Sequence, residues 1–460
     1  MKSYLLLFWL FGLMGLFSCS GSKKLPEFNH VIQDSIPIQK PKVQINKEVF
    51  YEEDVLNEIL DTSSLNTGFT GIFIYDIVGD SVLYKKHSNH YFVPASNTKI
   101  LTLFACLKTL GDSIQAFKYI ETDSTFTFWG AADPTFLHPF FPESSVLSFL
   151  KSKTSNKKIY YSDYHSSINH FGKGWMWDDY NDHYQAEISH FPMYANVVTT
   201  SRDTSTLTIS PKNVITQSKE KNNLKKIKRK HDGNEVIFPL MLDSIKAYYQ
   251  QIPYKNANDV NLRLLEEILN KKIFKKDIPL PEGAKIKYSL PVDTVYRRMM
   301  QVSDNLLAEH LLLQCGFSVA DTISTSYTID TIRSKYIGVI DSSAVWVDGS
   351  GLSRYNLFTP EMMVSVLNDL YKNNPEDRLF SLMAIGGGHG SLKKMYHEES
   401  EPYIFAKPGS MAGVYNLSGY LITKSGKKLA FSIMNNNFTC SVSSARKVVS
   451  QLIETIRNQY

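Results

Sequence analysis

Apolar and aromatic runs bounded by polar turn residues lie near both ends of the chain and predict β-strands. The predicted strands are Gly71–Ile77, Ser81–Lys86, Leu417–Thr423 and Lys428–Met434. Tight turns at Gly79-Asp80 and at 424–427 join each pair into a hairpin. Helical spacing appears at residues 52–61, before the first hairpin, and over about Val442–Ile456, after the second. The two hairpins therefore predict one sheet built from both ends of the chain.

Helical periodicity predicts the elements between the hairpins. Pro94 suits a helix start, and apolar side chains then recur at helical spacing until Gly111. Two more helices are predicted at Thr294–Val302 and Asn305–Cys315, and a further helix begins after Thr359, a good capping residue. Helices placed between strands from both ends predict an α+β fold.

Residues 112–290 differ in composition from the flanking parts of the chain and predict an inserted domain. This stretch is rich in aromatic, Asp, Asn and Ser residues with short strand-like runs, and it is too long for a loop. The flanking parts, 47–111 and 291–460, would then form the main domain. The basic run Lys219–His231 predicts a solvated loop or hairpin, and contact with an anionic polymer or membrane surface is the alternative.

The amino-terminal segment predicts export and a lipid anchor. The apolar run Tyr4–Phe17 is too short for an ordinary membrane span and ends in the letters LFSC, which resemble a bacterial lipobox. Residues 1–19 would be the signal, with Cys19 lipidated after cleavage, whereas a plain cleaved signal is the alternative. Residues 20–46 predict a polar tether, and Ser20 favours the outer membrane under the best-known sorting rule.

Composition permits packed cores and narrows the classes of function. The 460 residues are 43% hydrophobic and 12% aromatic. The net charge of +5 is small for this length and gives no reason to expect a nucleic-acid partner. Besides Cys19, the chain contains Cys106, Cys315 and Cys440, whose spacing suits neither a metal site nor a disulfide framework. We expect buried free thiols at Cys106 and Cys315.

The stretch VPASNTKILTLFACL, residues 93–107, places Ser96 and Lys99 three positions apart at a helix start. On a helix these side chains share a face, so Lys99 could accept a proton from a nucleophilic Ser96. Lys99 would then need a lowered pKa, through burial or a nearby positive charge. A polar first turn without chemistry is the alternative, because S-x-x-K is common by chance.

Two distant motifs supply the partners that such a serine needs, S-D-N at 303–305 and K-P-G-S at 407–410. The Ser303 hydroxyl could relay a proton to a leaving amine, and the Asn305 carboxamide could hold a substrate peptide bond. Lys407 could pair with a substrate carboxylate. Helix capping for the first motif and an ordinary Pro-Gly turn for the second are the alternatives.

The order S-x-x-K, S-D-N and K-x-G resembles the signature set of penicillin-binding proteins and class A β-lactamases. Further matching segments are Gly130–Thr135, Gly174–Tyr180, Asp348–Arg354 and Gly390–Leu392. Together they resemble the D-Ala-D-Ala carboxypeptidase/endopeptidase family of low-molecular-mass penicillin-binding proteins, from about residue 50 to the end. The resemblance implies a β-lactamase-like transpeptidase domain, an antiparallel sheet flanked by helices, with a large domain inserted between the first two motifs.

The resemblance also implies catalytic roles for four residues. Ser96 would attack the carbonyl carbon between two D-alanines and become acylated, and Lys99 would activate it. Ser303 would relay the proton to the departing D-alanine, and Asn305 would orient the substrate amide. The family needs no metal, and no cofactor is expected.

Substrate binding is implied for the third motif. Lys407 and Ser410 would hold the terminal carboxylate with Gly409 between them, and the N–H groups of Ser96 and Ser410 would form an oxyanion hole. The sequence departs from the family at Pro408, where Thr or Ser is usual. Proline is tolerated on a strand edge whose N–H side is unpaired, so we expect the strand to continue through Pro408.

The partners implied are peptidoglycan stem peptides as substrates and β-lactams as inhibitors that acylate Ser96. The protein would face the periplasm, held in the cell envelope by a lipid on Cys19. The alternatives on the same fold are a catalytically impaired cell-wall-binding lipoprotein, for which Pro408 is the only support, and a β-lactamase or esterase.

Overall fold

The structure, a computed structural model, describes residues 53–460 except for 142–144, 204–205, 219–222, 241, 243–246, 339 and 399–400. The predicted signal, the tether and Cys19 lie outside the described residues, as does the start of the basic run. In the part of the chain that is described, no helix combines the length and the apolar character needed to cross a membrane.

The strands of the described residues are, in chain order, β1 (Phe69–Asp76), β2 (Ser81–Lys86), β3 (Ser113–Glu121), β4 (Thr125–Gly130), β5 (Lys158–Ser162), β6 (Val197–Asp203), β7 (Thr206–Ser210), β8 (Thr216–Gln217), β9 (Lys228–Arg229), β10 (Glu235–Ile237), β11 (Ala247–Pro253), β12 (Ile273–Lys275), β13 (Lys285–Pro291), β14 (Ala384–Ile385), β15 (Ile404–Met411), β16 (Val414–Ile422) and β17 (Lys428–Asn436). They form a six-stranded sheet in the order β14-β15-β16-β17-β1-β2 and a five-stranded sheet in the order β12-β5-β4-β3-β13. Two three-stranded sheets have the orders β11-β6-β7 and β8-β10-β9.

The α-helices of the described residues are α1 (Glu53–Thr62), α2 (Thr98–Thr109), α3 (Ser145–Thr154), α4 (Ala257–Leu269), α5 (Val292–Gln301), α6 (Asn305–Ala320), α7 (Thr325–Ile332), α8 (Pro360–Asn373), α9 (Glu376–Leu382) and α10 (Val442–Gln459). Short 3-10 helices include Ala95–Asn97, directly before α2, and Trp177–Asn181. A turn of π-helix, Arg333–Ile337, follows α7.

The six-stranded sheet joins the two ends of the chain, as the hairpins predicted. Strand β1 pairs antiparallel with β17, from Phe69 opposite Asn436 to Asp76 opposite Leu429. Every other pair in this sheet is antiparallel as well. This arrangement of an antiparallel sheet and helices is the α+β fold that the sequence predicts.

Helices cover both faces of this sheet, which explains why the first strand is an almost unbroken apolar run. Successive side chains of a strand point to opposite faces. Phe73 and Tyr75 belong to the core that includes residues of α2, α5, α6 and α8. Ile72 and Ile74 belong to the core that includes residues of α1 and α10. The helix α2, which follows Ser96, is therefore held in the interior between the sheet and α6.

The five-stranded sheet and both three-stranded sheets are formed by chain segments between β3 and β13, within the predicted insertion. The aromatic residues that are frequent in this stretch pack together. The ring of Phe117 meets those of Phe126 and Phe128 edge-on at 6.3 and 5.5 Å between centroids. The domain boundaries at 112 and 290 stay a prediction.

The described part of the basic run forms a hairpin in which one cation is buried. Strand β9 pairs antiparallel with β10, and the Arg229 side chain is almost fully buried. Its guanidinium donates to the carbonyl oxygens of Lys230 and Gly233 and, through Nη2, to that of Tyr180. Arg229 therefore fixes the 3-10 helix Trp177–Asn181 to this hairpin.

The cysteines of the described residues carry free thiols. Cys106 on α2 and Cys315 on α6 are buried, as the apolar helical patterns predicted. Their sulfur atoms lie 3.7 Å apart. Cys440 is partly exposed.

Candidate active site

Ser96 lies in the 3-10 helix Ala95–Asn97, two residues before α2 begins. Ala95 has φ 47°, a left-handed conformation that a residue with a Cβ adopts only where its surroundings enforce it. The neighbouring backbone of Gly351 enforces it by close approach, because a Cβ on Gly351 would lie 1.9 Å from the Ala95 carbonyl oxygen. The nucleophile candidate is therefore held by tight backbone packing.

Lys99 is fully buried and contacts Ser96 directly. Its Nζ lies 3.1 Å from Ser96 Oγ and donates to Asn305 Oδ1 at 2.7 Å and to the Ser350 carbonyl oxygen at 2.6 Å. Burial lowers the pKa of the Lys99 amine to about 8, against the opposing effect of nearby carboxylates, of which that of Asp348 is the strongest. The condition set by the sequence, a lysine with a lowered pKa beside the serine, is met.

In the S-D-N motif, one residue caps helix α6 and another contacts Lys99. Asp304, not Ser303 or Asn305, is the N-cap of α6, and its side chain accepts from the Leu307 N–H at 3.2 Å. Asn305 is thereby free to contact Lys99, and its Nδ2 donates to the Tyr184 carbonyl oxygen at 3.0 Å. Ser303 has φ 65°, and none of the described residues hydrogen-bonds to its hydroxyl.

The third motif lies on β15, which continues through Pro408 as predicted. The strand pairs with β16 along its whole length, whereas β14 covers only Phe405 and Ala406 on the other side. The edge from Lys407 to Ser410 is therefore open toward the site. A proline on such an edge removes no ladder hydrogen bond.

Close packing fixes this strand against the Ser96 turn. A Cβ on Gly409 would lie 2.6 Å from the Pro94 carbonyl oxygen and 2.9 Å from the Ser96 nitrogen, so only glycine fits without a shift of the backbone. The buried Asn97 adds a direct tie, because its Nδ2 donates to the Lys407 carbonyl oxygen at 2.6 Å.

Lys407 is the second buried lysine of the site. Its Nζ donates to the Pro408 carbonyl oxygen at 2.7 Å. Burial lowers the pKa of Lys407 well below its ordinary value, and the positive charge of Lys99 lowers it further. A bound carboxylate would act in the opposite direction and favour the charged lysine.

The predicted residues surround one cavity of about 600 Å³. Ser96, Ser303, Asn305, Lys407 and Ser410 line it. Lys99 and Gly409 do not line it, and both lie against Ser96 through the contacts given above. The structure thus brings together every predicted site residue that it describes, and only Cys19 lies outside the described residues.

Glu309 supports the site and was not predicted. Its buried carboxylate accepts the N–H of Ser350 at 2.7 Å and that of Gly349 at 3.1 Å, and so fixes the carbonyl that receives Lys99. Burial, reinforced by the charge of Asp348, raises the pKa of Glu309 to about 8. A signal was present in the sequence, because Glu309 interrupts an otherwise apolar helix, and a charge there needs a buried partner.

Asp348 organises the loop that carries Ser350. Its two carboxylate oxygens accept from the N–H groups of Gly351 and Ser353, the Asn356 amide and the Trp175 indole, at 2.7 to 2.9 Å. Trp175 belongs to the segment Gly174–Tyr180, so Asp348 also ties a predicted insertion segment to the site. Arg354, at the end of the matching segment Asp348–Arg354, lines the cavity.

Comparison with known proteins agrees with this geometry. A D-alanyl-D-alanine carboxypeptidase, DacB of Haemophilus influenzae, is 31% identical over 179 residues, which are 37% of this chain and 37% of that enzyme. The chain thus aligns with little more than a third of that relative. The penicillin-sensitive carboxypeptidase A of Dictyostelium discoideum is 23% identical over 439 residues, covering 79% of this chain and 81% of that protein.

A solved structure shows the same fold. The crystal structure of penicillin binding protein 4 (dacB) from Haemophilus influenzae matches with a TM-score of 0.68 and 19% identity, over 87% of this chain and 98% of that one. The predicted fold class is confirmed. The model of the D-Ala-D-Ala carboxypeptidase 3 (S13) family matches residues 52–459, which is most of the chain. This protein therefore belongs to the D-Ala-D-Ala carboxypeptidase 3 (S13) family.

Proposed function

We propose that the protein is a serine-type D-alanyl-D-alanine carboxypeptidase/endopeptidase that acts on peptidoglycan peptides through an acyl-enzyme on Ser96. The observation that carries the proposal is the contact of a buried Lys99 with Ser96 Oγ at 3.1 Å and with Asn305 Oδ1 at 2.7 Å. An unassisted serine is a poor nucleophile at neutral pH, and this contact supplies its base. The family membership supports the same activity.

Acylation begins when neutral Lys99 takes the hydroxyl proton of Ser96. The Ser96 oxygen then bonds to the carbonyl carbon between two D-alanines, and the developing oxyanion accepts from the main-chain N–H groups of Ser96 and Ser410. Gly409, next to Ser410 on β15, allows this strand to pack closely against the Ser96 nitrogen. Asn305 aligns the substrate amide through its carboxamide.

The leaving group departs beside Ser303 and Lys407. The amide C–N bond breaks, and the proton taken by Lys99 reaches the departing amine through the Ser303 hydroxyl. The carboxylate next to that amine pairs with Lys407 and with Ser410. Water then hydrolyses the Ser96 ester and regenerates the enzyme. No metal or cofactor takes part in these steps.

Lipid attachment at Cys19 is part of the proposal. It would hold the enzyme in the cell envelope, in the outer membrane, facing the periplasm, with residues 20–46 as a tether. The support is the LFSC sequence at 16–19 and the apolar run before it. Mass spectrometry of the mature protein tests this point: an acylated amino-terminal cysteine supports it, and an unmodified terminus contradicts it.

Labelling with a fluorescent penicillin tests the activity. Wild type should become labelled and should release D-alanine from a pentapeptide, whereas Ser96→Ala should do neither. Label of equal intensity on Ser96→Ala contradicts the proposed nucleophile. Label on wild type without release of D-alanine would select the impaired cell-wall-binding protein, and turnover of nitrocefin far above that of the peptide would select a β-lactamase.

A further inference from the structure

A second cavity of about 320 Å³ adjoins the first. Both cavities have Tyr184, Ser303 and Asn305 in their walls. The second cavity lies between the S-D-N turn and the segments of the predicted insertion, including β11. None of the roles described above uses it.

The direction of the leaving group points to this cavity, an argument that rests on the proposed function. Three substituents surround the α-carbon of the leaving residue. Its nitrogen must lie near Ser303, and its carboxylate near Lys407 and Ser410, which line the first cavity. The remaining substituent is the side chain. In D-alanine this is a methyl group, but a longer side chain needs further space next to the first cavity, and the second cavity, which shares Ser303 and Asn305 with the first, supplies it.

The lining of the second cavity fits a chain of methylene groups that continues into peptide groups. The aromatic rings of Phe140, Tyr184 and Tyr249 offer apolar surface. The guanidinium of Arg298 stacks 3.6 Å from the centre of the Phe140 ring, and its Nε donates to Asp304 at 3.2 Å. Aromatic surface beside a hydrogen-bonding cation can hold methylenes and a peptide carbonyl or carboxylate together.

Two further polar side chains of the lining, His138 and Gln251, add hydrogen-bonding capacity. Burial lowers the pKa of His138 to about 4, so its imidazole is neutral near pH 7. Gln251 contributes a carboxamide, which can donate to and accept from peptide groups. Tyr249 and Gln251 are two residues apart on β11 and therefore point to the same face of that strand.

We propose that the second cavity is a subsite for the side chain of the leaving residue, and that it accepts the leaving peptide of a peptidoglycan cross-link, whose amine belongs to a diamino acid. The reaction is the one given above. The amide C–N bond breaks, the acyl group bonds to Ser96 Oγ, the Ser96 proton passes to the side-chain amine, and water then hydrolyses the ester. The occupant is the rest of the diamino acid and the peptide attached to it.

Two single substitutions on β11 test the subsite without touching the proposed catalytic groups. They are Tyr249→Ala and Gln251→Ala. The matched control is Tyr288→Ala on β13, because Tyr288 is 46% exposed against 60% for Tyr249 and lines neither cavity. Each protein is assayed on a pentapeptide ending in D-Ala-D-Ala and on a cross-linked muropeptide dimer, and kcat/KM is measured for both.

The β11 variants should have a lower kcat/KM than wild type for the dimer and a kcat/KM close to that of wild type for the pentapeptide. Removing the Tyr249 ring should lower kcat/KM for the dimer about tenfold, the effect of one lost aromatic contact, with the pentapeptide value within about twofold of wild type. Gln251→Ala should act in the same direction. Tyr288→Ala should match wild type on both substrates. Equal losses on both substrates for the β11 variants, or a wild type that cleaves the pentapeptide but not the dimer, would overturn the subsite.

Binding to an inactive enzyme separates this inference from the proposed chemistry. Calorimetry with Ser96→Ala should show that adding Tyr249→Ala weakens binding of the dimer and leaves that of the pentapeptide unchanged. If wild type hydrolyses neither substrate while this difference in binding holds, the proposed function fails and the subsite stands. If binding of the dimer does not change, the subsite fails whatever the activity.

Discussion

Lowering the pH from 8 to 6 should slow acylation of Ser96 by about fiftyfold. The proposed base is neutral Lys99, and burial lowers its pKa to about 8. At this pKa about half of the enzyme holds neutral Lys99 at pH 8, about a tenth at pH 7 and about a hundredth at pH 6. A lysine with its ordinary pKa would be neutral in well under about 0.1% of molecules at pH 7. The rate should therefore rise with pH, reach half of its maximum near pH 8 and level off about one pH unit higher.

Acylation by a fluorescent penicillin measures this step in isolation. The penicillin carboxylate stays ionised over the whole range, so only groups of the enzyme titrate. The second-order rate constant, determined at low penicillin concentration from pH 5.5 to 9.5, reports the pKa of the free enzyme. Burial lowers the pKa of Lys407, and loss of its charge would lower the rate as the pH rises, which is the opposite direction. The rising limb is therefore the part of the profile that tests Lys99.

Lys99→Met supplies the control. It removes the amine, keeps an unbranched side chain of similar length, and should lower the rate constant by about a thousandfold or more. Its residual rate should show no rise between pH 6 and 8. A wild-type profile that is flat between pH 6 and 8, or a rise of the same shape in Lys99→Met, would show that another group is the base.

Three further substitutions test the packing that holds the site. Pro408→Thr should keep the fold and keep or increase release of D-alanine, because the strand edge has room for an N–H; a loss of more than about 2 kcal/mol in the free energy of unfolding contradicts this. Gly409→Ala should lower the rate of penicillin acylation about a hundredfold by displacing the Ser96 backbone, whereas Gly111→Ala, where an added Cβ meets nothing within 4 Å, should leave it unchanged. Asp348→Asn places an amide among four hydrogen-bond donors, so it should lower the free energy of unfolding in urea by about 2–4 kcal/mol. The control Asp232→Asn changes a carboxylate that is 89% exposed and should leave the free energy of unfolding almost unchanged.

Local signals account for the parts of the fold that the sequence predicted. Strand β2 has the predicted bounds, and β17 and α10 extend the predicted segments by a few residues, whereas β16 begins three residues before its predicted segment and ends one residue before the end of that segment. Apolar runs and turn residues act over short distances and are readable without the partner strand. Strands β8 and β14 have two residues each and are defined by partners about twenty residues away along the chain, so no local pattern could predict them.

The site was predictable where its chemistry needs a particular side chain, and not where it needs the main chain. Ser96, Lys99 and Asn305 belong to motifs whose residue types the reaction dictates. The third acceptor of Lys99 is the carbonyl oxygen of Ser350, which any residue could offer. Its position depends on Glu309, whose contacts with residues 349 and 350 come from tertiary packing. Capping and chemistry, alternatives for S-D-N in the sequence, occur together because Asp304 takes the cap.

The two buried lysines couple substrate binding to activation of the nucleophile. The charge of Lys99 lowers the pKa of Lys407, and because such an interaction is reciprocal, a charged Lys407 must lower the pKa of Lys99. Burial disfavours charge on Lys407 in the free enzyme, whereas a bound carboxylate favours it. Binding of a substrate carboxylate therefore charges Lys407, and this charge promotes loss of the proton from Lys99, the state in which it can act as base.

This coupling predicts that the acid limb of the pH profile reports a different pKa of Lys99 in the free enzyme and in the penicillin complex. The second-order rate constant of acylation reports Lys99 in the free enzyme, and the limiting rate at saturating penicillin reports it in the complex. If the penicillin carboxylate charges Lys407, the limb should move to lower pH at saturation. The Lys407→Ala variant removes the second charge, so its limb should not move to lower pH at saturation, even though its affinity for penicillin falls. A wild-type limb that does not move to lower pH at saturation, or a Lys407→Ala limb that still does, would show that Lys407 does not lower the pKa of Lys99.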